Sequence, residues 1–535
     1  MQLNGLFQLN AFILPFIFFS CIYSCKGQVS TDNLCRQAFE ESLTPVRPGI
    51  PGRQVFWNHY AMQFIYAPAF DFKEIKNAVC YKFIAFSFAD RKTYTFKASY
   101  PWVPLGPIWK SFPVGEIFLK VEGIDKEGKP IGLSGERKFY RAAAFHGPYP
   151  DAKTDYTTAA KRQLDYIFHL DFVQHWLTKG TPDPDYILNT YLCKIVTSTI
   201  EAMLKYIELN AGQSPNESDK ALMIATNAAD YLIKQSEPPG SPLAFLPPTY
   251  AGDLLSSKDN QRKVMINVSA GAGQAYLTLY DVNKNEKYLQ AAINIANTLL
   301  KIQLPSGVWP IKMQLETGGA DTPNYGIPIE IINFLDRIST YQSNPQYLLS
   351  RDKAWQWTLE NSLKTFNWEG QFEDVQPGEY AYQKMGMHDP CSVAGYMLAH
   401  RKDDPSYLDK ALEIIRFVED QFIVWEKPLP FGQMGESTVT WFTPSVLEQY
   451  TCYTPIDASV SRVSLIFFQA YQATHDKLFL AKSRALANAL TQQQGNDGNI
   501  PTGWDTMPPT RIRYWWLNCA FHDVQALLQY RQANE

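Results

Sequence analysis

Several signatures are missing from this chain, and each absence removes a class of chemistry. There is no His-Glu-x-x-His, no paired Cys-x-x-Cys, no phosphate-binding Gly-rich loop and no Gly-x-Ser-x-Gly. Zinc hydrolysis, P-loop chemistry and a serine elbow are therefore not the expectation, and no metal or other cofactor is called for. Cysteine is sparse: Cys35, Cys80, Cys193, Cys391, Cys452 and Cys519 are too scattered for a metal cluster or a disulfide scaffold, and read as small buried hydrophobes. Runs of basic residues are absent too. The 49 Lys and Arg are spread along the chain against 53 Asp and Glu, for a net charge of −4, which argues against nucleic acid as a partner. The spacing of Asp281, Asn283 and Asn285 imitates part of a calcium loop but lacks its Gly and terminal Glu, so it reads as a turn.

What is present begins with size. The 535 residues exceed what one core organises, so two domains behind a targeting segment are expected. The apolar stretch at 11–23 is too short to span a bilayer and lies where a signal peptide's apolar region belongs. It ends at Ile22-Tyr23-Ser24-Cys25, a small residue directly before a cysteine. That pattern, ending the segment read here as residues 1–25, resembles the lipobox of bacterial lipoproteins, in which the signal is removed and the cysteine stays as the new N-terminus. The resemblance implies export, lipidation at Cys25, membrane attachment through the lipid, and a cell-envelope location in the periplasm or on the outer-membrane surface. Ser20-Cys21 is a competing site.

Residues 26–150 read as a β domain. The runs 81–87, 93–99, 116–123 and 137–141 are β-prone, and the polar segment 125–129 carries Gly128 where a reversal needs it. They predict a small sandwich of the fibronectin type III or immunoglobulin kind. The segment His146-Gly147-Pro148-Tyr149-Pro150-Asp151 marks its end.

From 151 to 535 the periodicity is helical, and one unit recurs: an apolar helix, a polar turn, an aromatic-Leu pair, then a helix rich in Ala and Leu. The pairs are Tyr288-Leu289, Tyr347-Leu348, Tyr407-Leu408 and Phe479-Leu480, spaced by 59, 60 and 72 residues. The apolar helices before them are read at 275–280, 329–341, 393–401 and 463–474. A fifth hairpin fits 195–211 with 219–235, and a sixth closes 156–178 against 515–531. Six such hairpins bury their apolar faces by stacking into a ring. The expected fold is therefore mostly α, an (α/α)6 toroid preceded by the β-sandwich.

In such a ring the long linkers between hairpins wall a funnel, and here they are rich in aromatics and carboxylates. They bring Tyr250; Trp309, with Glu330 just after; Asp374, His388 and Asp389; Trp441, Tyr450, Tyr453 and Asp457; and Trp504, Arg511 and Arg513. With an aromatic content of 14%, this inventory suits sugar rings. Hydrolysis of a glycosidic bond needs a pair of carboxyls, supplied by Asp374 with Asp389 or Asp457, with Trp309, Trp441 and Trp504 as stacking surfaces. A second chemistry, lyase, dehydratase or C5-epimerase, abstracts a proton next to a uronate carboxylate. Tyr450 or His388 is then the base, with Tyr250, Tyr453, Arg511 and Arg513 around the substrate. A third reading is a glycan-binding lipoprotein without catalysis. In each, a poly- or oligosaccharide is the partner.

Cys25, the fibronectin-like domain and the repeated Tyr-Leu hairpins together resemble the secreted (α/α)6 proteins of polysaccharide-degrading Bacteroidetes. In architecture the chain is similar to unsaturated glucuronyl hydrolases, toroidal uronate lyases and the C-terminal domain of glucuronyl C5-epimerases. The resemblance implies carbohydrate chemistry and carries over no catalytic residue.

Overall fold

The computed structural model of the protein describes residues 31–47, 60–210, 212, 214–251, 260–369, 382–426, 442–450, 452–504 and 515–531. Twelve of the described helices make six pairs. The inner members are Leu192–Leu209, Ile266–Asn283, Ile329–Ser339, His388–Ala399, Asp457–Thr474 and Leu517–Leu528, the first to sixth inner helices below. Each packs on the next and the sixth packs on the first, which closes a ring. Outside them lie Pro215–Gln235, Glu286–Ile302, Pro345–Glu360, Ser406–Phe422 and Lys477–Gln493. The last outer position is taken by Tyr156–His169, which pairs with the sixth inner helix and so joins the two ends of the toroid.

The repeated aromatic position has a packing cause. Tyr288 and Tyr347 sit in the first turn of their outer helices, 1% and 0% exposed. Each hydroxyl reaches back to the preceding outer helix, Tyr288 to Asp230 (3.0 Å) and Tyr347 to Asn297 (3.0 Å). Tyr407 continues the pattern by accepting from Trp355 Nε1 (2.7 Å). A buried ring with one polar tip thus stitches successive hairpins, which is why its spacing is visible in sequence. The inner helices, by contrast, start up to two or three turns before the apolar periodicity predicts, at Ile266, His388 and Asp457. Their first turns carry polar residues that interrupt the apolar pattern.

Before the ring, β1 (Gln63–Phe64), β2 (Cys80–Ser87), β3 (Thr93–Ala98), β4 (Gly115–Ile124) and β5 (Pro130–Arg141) form one sheet in the order β1-β5-β4-β2-β3. β1 is parallel to β5 and the other pairs are antiparallel. The reversal between β4 and β5 is where expected, with Gly128 N–H bonded to the Asp125 carbonyl (3.1 Å) at φ 83°. The strands alternate, and Phe83, Ile117, Leu119 and Val121 face inward. Where a two-sheet sandwich is predicted, the described residues hold a single sheet. Its apolar face is covered instead by the two-residue β1, the chain after it and the short helix Gly106–Trp109: Phe64, Phe70 and Trp109 surround Phe139 at 5.6, 5.8 and 6.1 Å, and Trp109 Nε1 bonds the Ile65 carbonyl (3.0 Å). With that cover in place a second sheet has nothing to bury.

The sheet is fastened to the fourth outer helix. Asp420, fully buried, accepts the Ile65 and Tyr66 N–H groups (2.6 and 2.8 Å), and Gln63 and Gln421 exchange side-chain to carbonyl bonds (3.1 and 2.9 Å). Among the described residues no helix is long and apolar enough to cross a membrane.

Candidate functional site

The N-terminal ends of the six inner helices surround a cavity of about 230 Å³. Each helix contributes a polar side chain from its first two turns: Lys194, Asn267, Glu330, His388, Arg462 and His522 in ring order. Glu448 joins them from the strand Ser445–Gln449.

Capping differs between the two layers. Asp155, Asn285, Asn344 and Asp476 cap outer helices with their side chains. The inner helices follow Tyr191, Met265, Pro328, Met387, Ile456 and Trp516, none of which makes a side-chain cap. Asn267 and Asp457 serve one nearby N–H each. Of the other first-turn donors, the Ile266, Asp457 and Leu517 N–H groups bond the Ile311 carbonyl, the Thr502 carbonyl and Tyr186 Oη (3.3, 3.0 and 3.2 Å), while the positive ends of the six helix dipoles lie around the cavity.

His388 begins the fourth inner helix, and its side chain is 19% exposed. Its Nδ1 lies 3.0 Å from Asp389 Oδ1. Burial first, then the Arg462 charge, pushes the imidazole down to about 3, against the opposing pull of Glu330. Burial pushes the Asp389 carboxyl up to about 7, with Arg462 opposing. At neutral pH the ring is thus uncharged and its orienting carboxyl is on the point of ionising. On the far side of Arg462, His522 is also held neutral, by burial and then by the Arg462 charge. Arg462 Nη2 donates to His522 Nε2 (3.0 Å). Lys194 sits at the edge with its ammonium 5.4 Å from the Tyr191 ring and 5.6 Å from that of Trp516, rings that pack on each other at 5.1 Å.

Of the residues singled out from sequence, Glu330 and His388 line this cavity and Asp389 stands behind His388. Asp457, the first residue of the fifth inner helix, is fully buried against Asp523, away from the cavity surface. Tyr250 packs on Tyr191 at 6.1 Å and is 8% exposed. Tyr450 is buried and donates to Gln421 Oε1 (2.6 Å). Trp309 and Trp504 are in the core, their indole N–H groups bonded to the Leu299 and Pro501 carbonyls (2.8 and 3.2 Å). Asp374, Trp441, Arg511, Arg513 and Cys25 lie outside the described residues, as does the side chain of Tyr453. Lys194, Arg462 and His522 were not anticipated. Their signal was a lone charged or His residue inside an otherwise apolar helix, as in Leu192-Cys193-Lys194-Ile195-Val196. Among the described residues no His, Cys, Asp and Glu group could hold a metal ion.

Two placements give direct expectations. Trp309→Phe should cost about 1–3 kcal/mol of stability in denaturant titration by stranding the Leu299 carbonyl. A loss of sugar binding without a loss of stability would contradict its place in the core. The Asp457 and Asp523 carboxyls face each other without solvent. Asp523 Oδ1 accepts from Ser461 Oγ (2.6 Å), and burial, with the facing carboxyl next for Asp457, raises both. Folded protein then holds a proton that the unfolded chain has released, so this pair makes stability fall as pH rises from about 4 towards about 8. Asp523→Asn should reduce that fall, leaving the part that burial of Asp457 contributes. The check is the stability difference between variant and wild type at several pH values, and a difference independent of pH would rule out the shared proton.

No protein-family model matches the chain, and neither does any curated protein. Solved structures similar to it include a family 76 glycoside hydrolase from a bovine Bacteroides thetaiotaomicron strain, 10% identical with a TM-score of 0.47, spanning 87% of this chain and 96% of that one. A D-mannose isomerase is 12% identical with a TM-score of 0.49, over 72% of this chain and 100% of its own. An unsaturated glucuronyl hydrolase specific for heparin is 10% identical with a TM-score of 0.45, over 71% and 96%. Likenesses this distant do not select a reaction, and the ring stands on its own helix contacts.

Proposed function

We propose that this protein is a carbohydrate-active enzyme that takes one sugar residue into the cavity and moves a proton on carbon, with His388 as the base. The reaction class is lyase, isomerase or epimerase. The observation that carries this reading is the His388–Asp389 pair, at 3.0 Å, in a cavity where burial and Arg462 keep the ring uncharged. With Asp389 ionised, Nδ1–H donates to it and Nε2 is the nitrogen that takes a proton.

Nε2 accepts the proton from a carbon next to a carbonyl or carboxylate, and the C–H electron pair moves into that group, leaving negative charge on its oxygen. Arg462, which lines the cavity, faces that charge together with the positive ends of the helix dipoles. If the proton returns to carbon, the product is an isomer or epimer. If instead the bond from the neighbouring carbon to the glycosidic oxygen breaks, that oxygen takes the electron pair and the proton, and an unsaturated sugar results.

Hydrolysis is the second reading. Glu330 and Glu448 both line the cavity and would be its carboxyl pair, since Asp389 and Asp457 do not reach the surface of the cavity. The test is incubation of the purified protein in heavy water with neutral and uronate-containing sugars, following reducing ends, ultraviolet absorbance and deuterium on carbon together. Deuterium incorporation or new absorbance supports proton transfer. Reducing ends with neither would overturn it in favour of hydrolysis.

A further inference from the structure

Arg462 has open space on two sides. It lines the cavity at the helix starts and also a second cavity of about 540 Å³ further along the inside of the ring, walled by Asn333, Ser392, Gly395 and Gln469 among others. The fourth inner helix presents small residues to that second space, Ser392, Gly395 and Ala399. A long arginine side chain can therefore reach forward to the first cavity or withdraw into the second, and its attraction to Glu330 alone does not fix the planar fork in one orientation.

What fixes it is His522. A guanidinium only donates hydrogen bonds, so the 3.0 Å contact from Arg462 Nη2 requires a lone pair on His522 Nε2. The ring hydrogen then resides on Nδ1, which is 3.0 Å from Gln525 Oε1 and donates to it. Both nitrogens are used, so His522 is not a second base, although it lines the same cavity as His388.

We propose that His522, locked by Gln525, is a positioning residue that holds Arg462 in the first cavity, against the oxygen that gains charge when His388 takes its proton. This rests on the proton-transfer reading above. The neutrality of His522 serves that purpose, because a protonated ring would have no acceptor to offer Arg462.

The experiment compares wild type, His522→Ala and His522→Asn on the sugar that exchanges deuterium, with kcat and KM separated. In parallel, nitrogen NMR reads the protonation of the His522 ring and the Arg462 side-chain N–H signals without any substrate. His522→Ala should lower kcat about 10²–10³-fold, the range for losing one preorganised oxyanion donor, with KM little changed. His522→Asn, whose amide oxygen can accept the same bond, should retain most of the rate. His522→Ala at the wild-type rate, or His522→Asn falling as far as the alanine variant, overturns the proposal. A ring hydrogen on Nε2 in the NMR spectrum overturns it independently of activity. If wild type exchanges no proton with any sugar, the proton-transfer reading itself fails, a result distinct from either of these.

Discussion

His388→Ala is expected to slow proton exchange about 10²–10⁴-fold, the usual worth of a general base, while the ring still folds. The pH dependence identifies the base more sharply than the loss of rate. Below about 7 the Asp389 carboxylic acid donates to Nδ1, which leaves the ring hydrogen on Nε2 and no lone pair there. As pH climbs through that value the carboxylate accepts from Nδ1–H and Nε2 becomes basic. The raised carboxyl therefore predicts a rate that increases with pH and levels off above about 7. Protonation of the imidazole itself adds no loss until far lower pH, since burial holds it down to about 3. Asp389→Asn can accept from Nδ1–H at every pH, so its profile should be flat through the same range at a lower plateau, because no carboxylate faces the imidazolium that forms. A rise near pH 7 that survives in Asp389→Asn would remove the dyad from the mechanism.

The second large effect is on stability. Glu419 is 2% exposed and accepts from Lys482 Nζ (2.7 Å), Tyr66 Oη (2.9 Å) and Trp425 Nε1 (3.0 Å). It thereby ties the fourth outer helix to the fifth and to the chain that covers the sheet. Glu419→Ala strands an ammonium that is 1% exposed, with Glu41 Oε2 as a weaker partner at 3.9 Å. Breaking a buried pair this way costs about 3–5 kcal/mol, visible as a lower denaturant midpoint. Glu419→Leu combined with Lys482→Met should recover part of that loss, because two apolar side chains of similar size leave no charge unpaired, although Tyr66 Oη and Trp425 Nε1 lose their acceptor. A combined variant as unstable as Glu419→Ala would mean that the pair itself, and not the stranded lysine, carries the effect.

The ring was legible in the sequence because its outer layer repeats one packing solution. A tyrosine at a fixed place, such as Tyr288 or Tyr347, must bury its ring between hairpins and find an acceptor on the previous one, so the residue recurs with the hairpin. The strands and the turn at Gly128 were legible through alternation and turn chemistry. The cover over the sheet was not, since Phe64 is in a two-residue strand, Trp109 in a four-residue helix and Phe70 in neither, all too short to show a period. The site was half legible. His388 and Glu330 stand beside linkers dense in polar and aromatic residues, and drew attention for that reason. Lys194, Arg462 and His522 are single polar residues on three separate helices, and only ring closure brings them to one cavity. The same closure hides Asp457, whose place at a helix start suggests access while the neighbouring helix buries it against Asp523.

The most direct measurement is a crystal structure of the protein with a sugar bound from the panel that it turns over. The account predicts a sugar carbon about 3–3.5 Å from His388 Nε2, the distance for productive attack, with the adjacent carbonyl or carboxylate oxygen on Arg462. A glycosidic oxygen held between Glu330 and Glu448, with His388 out of reach of any C–H, would contradict it.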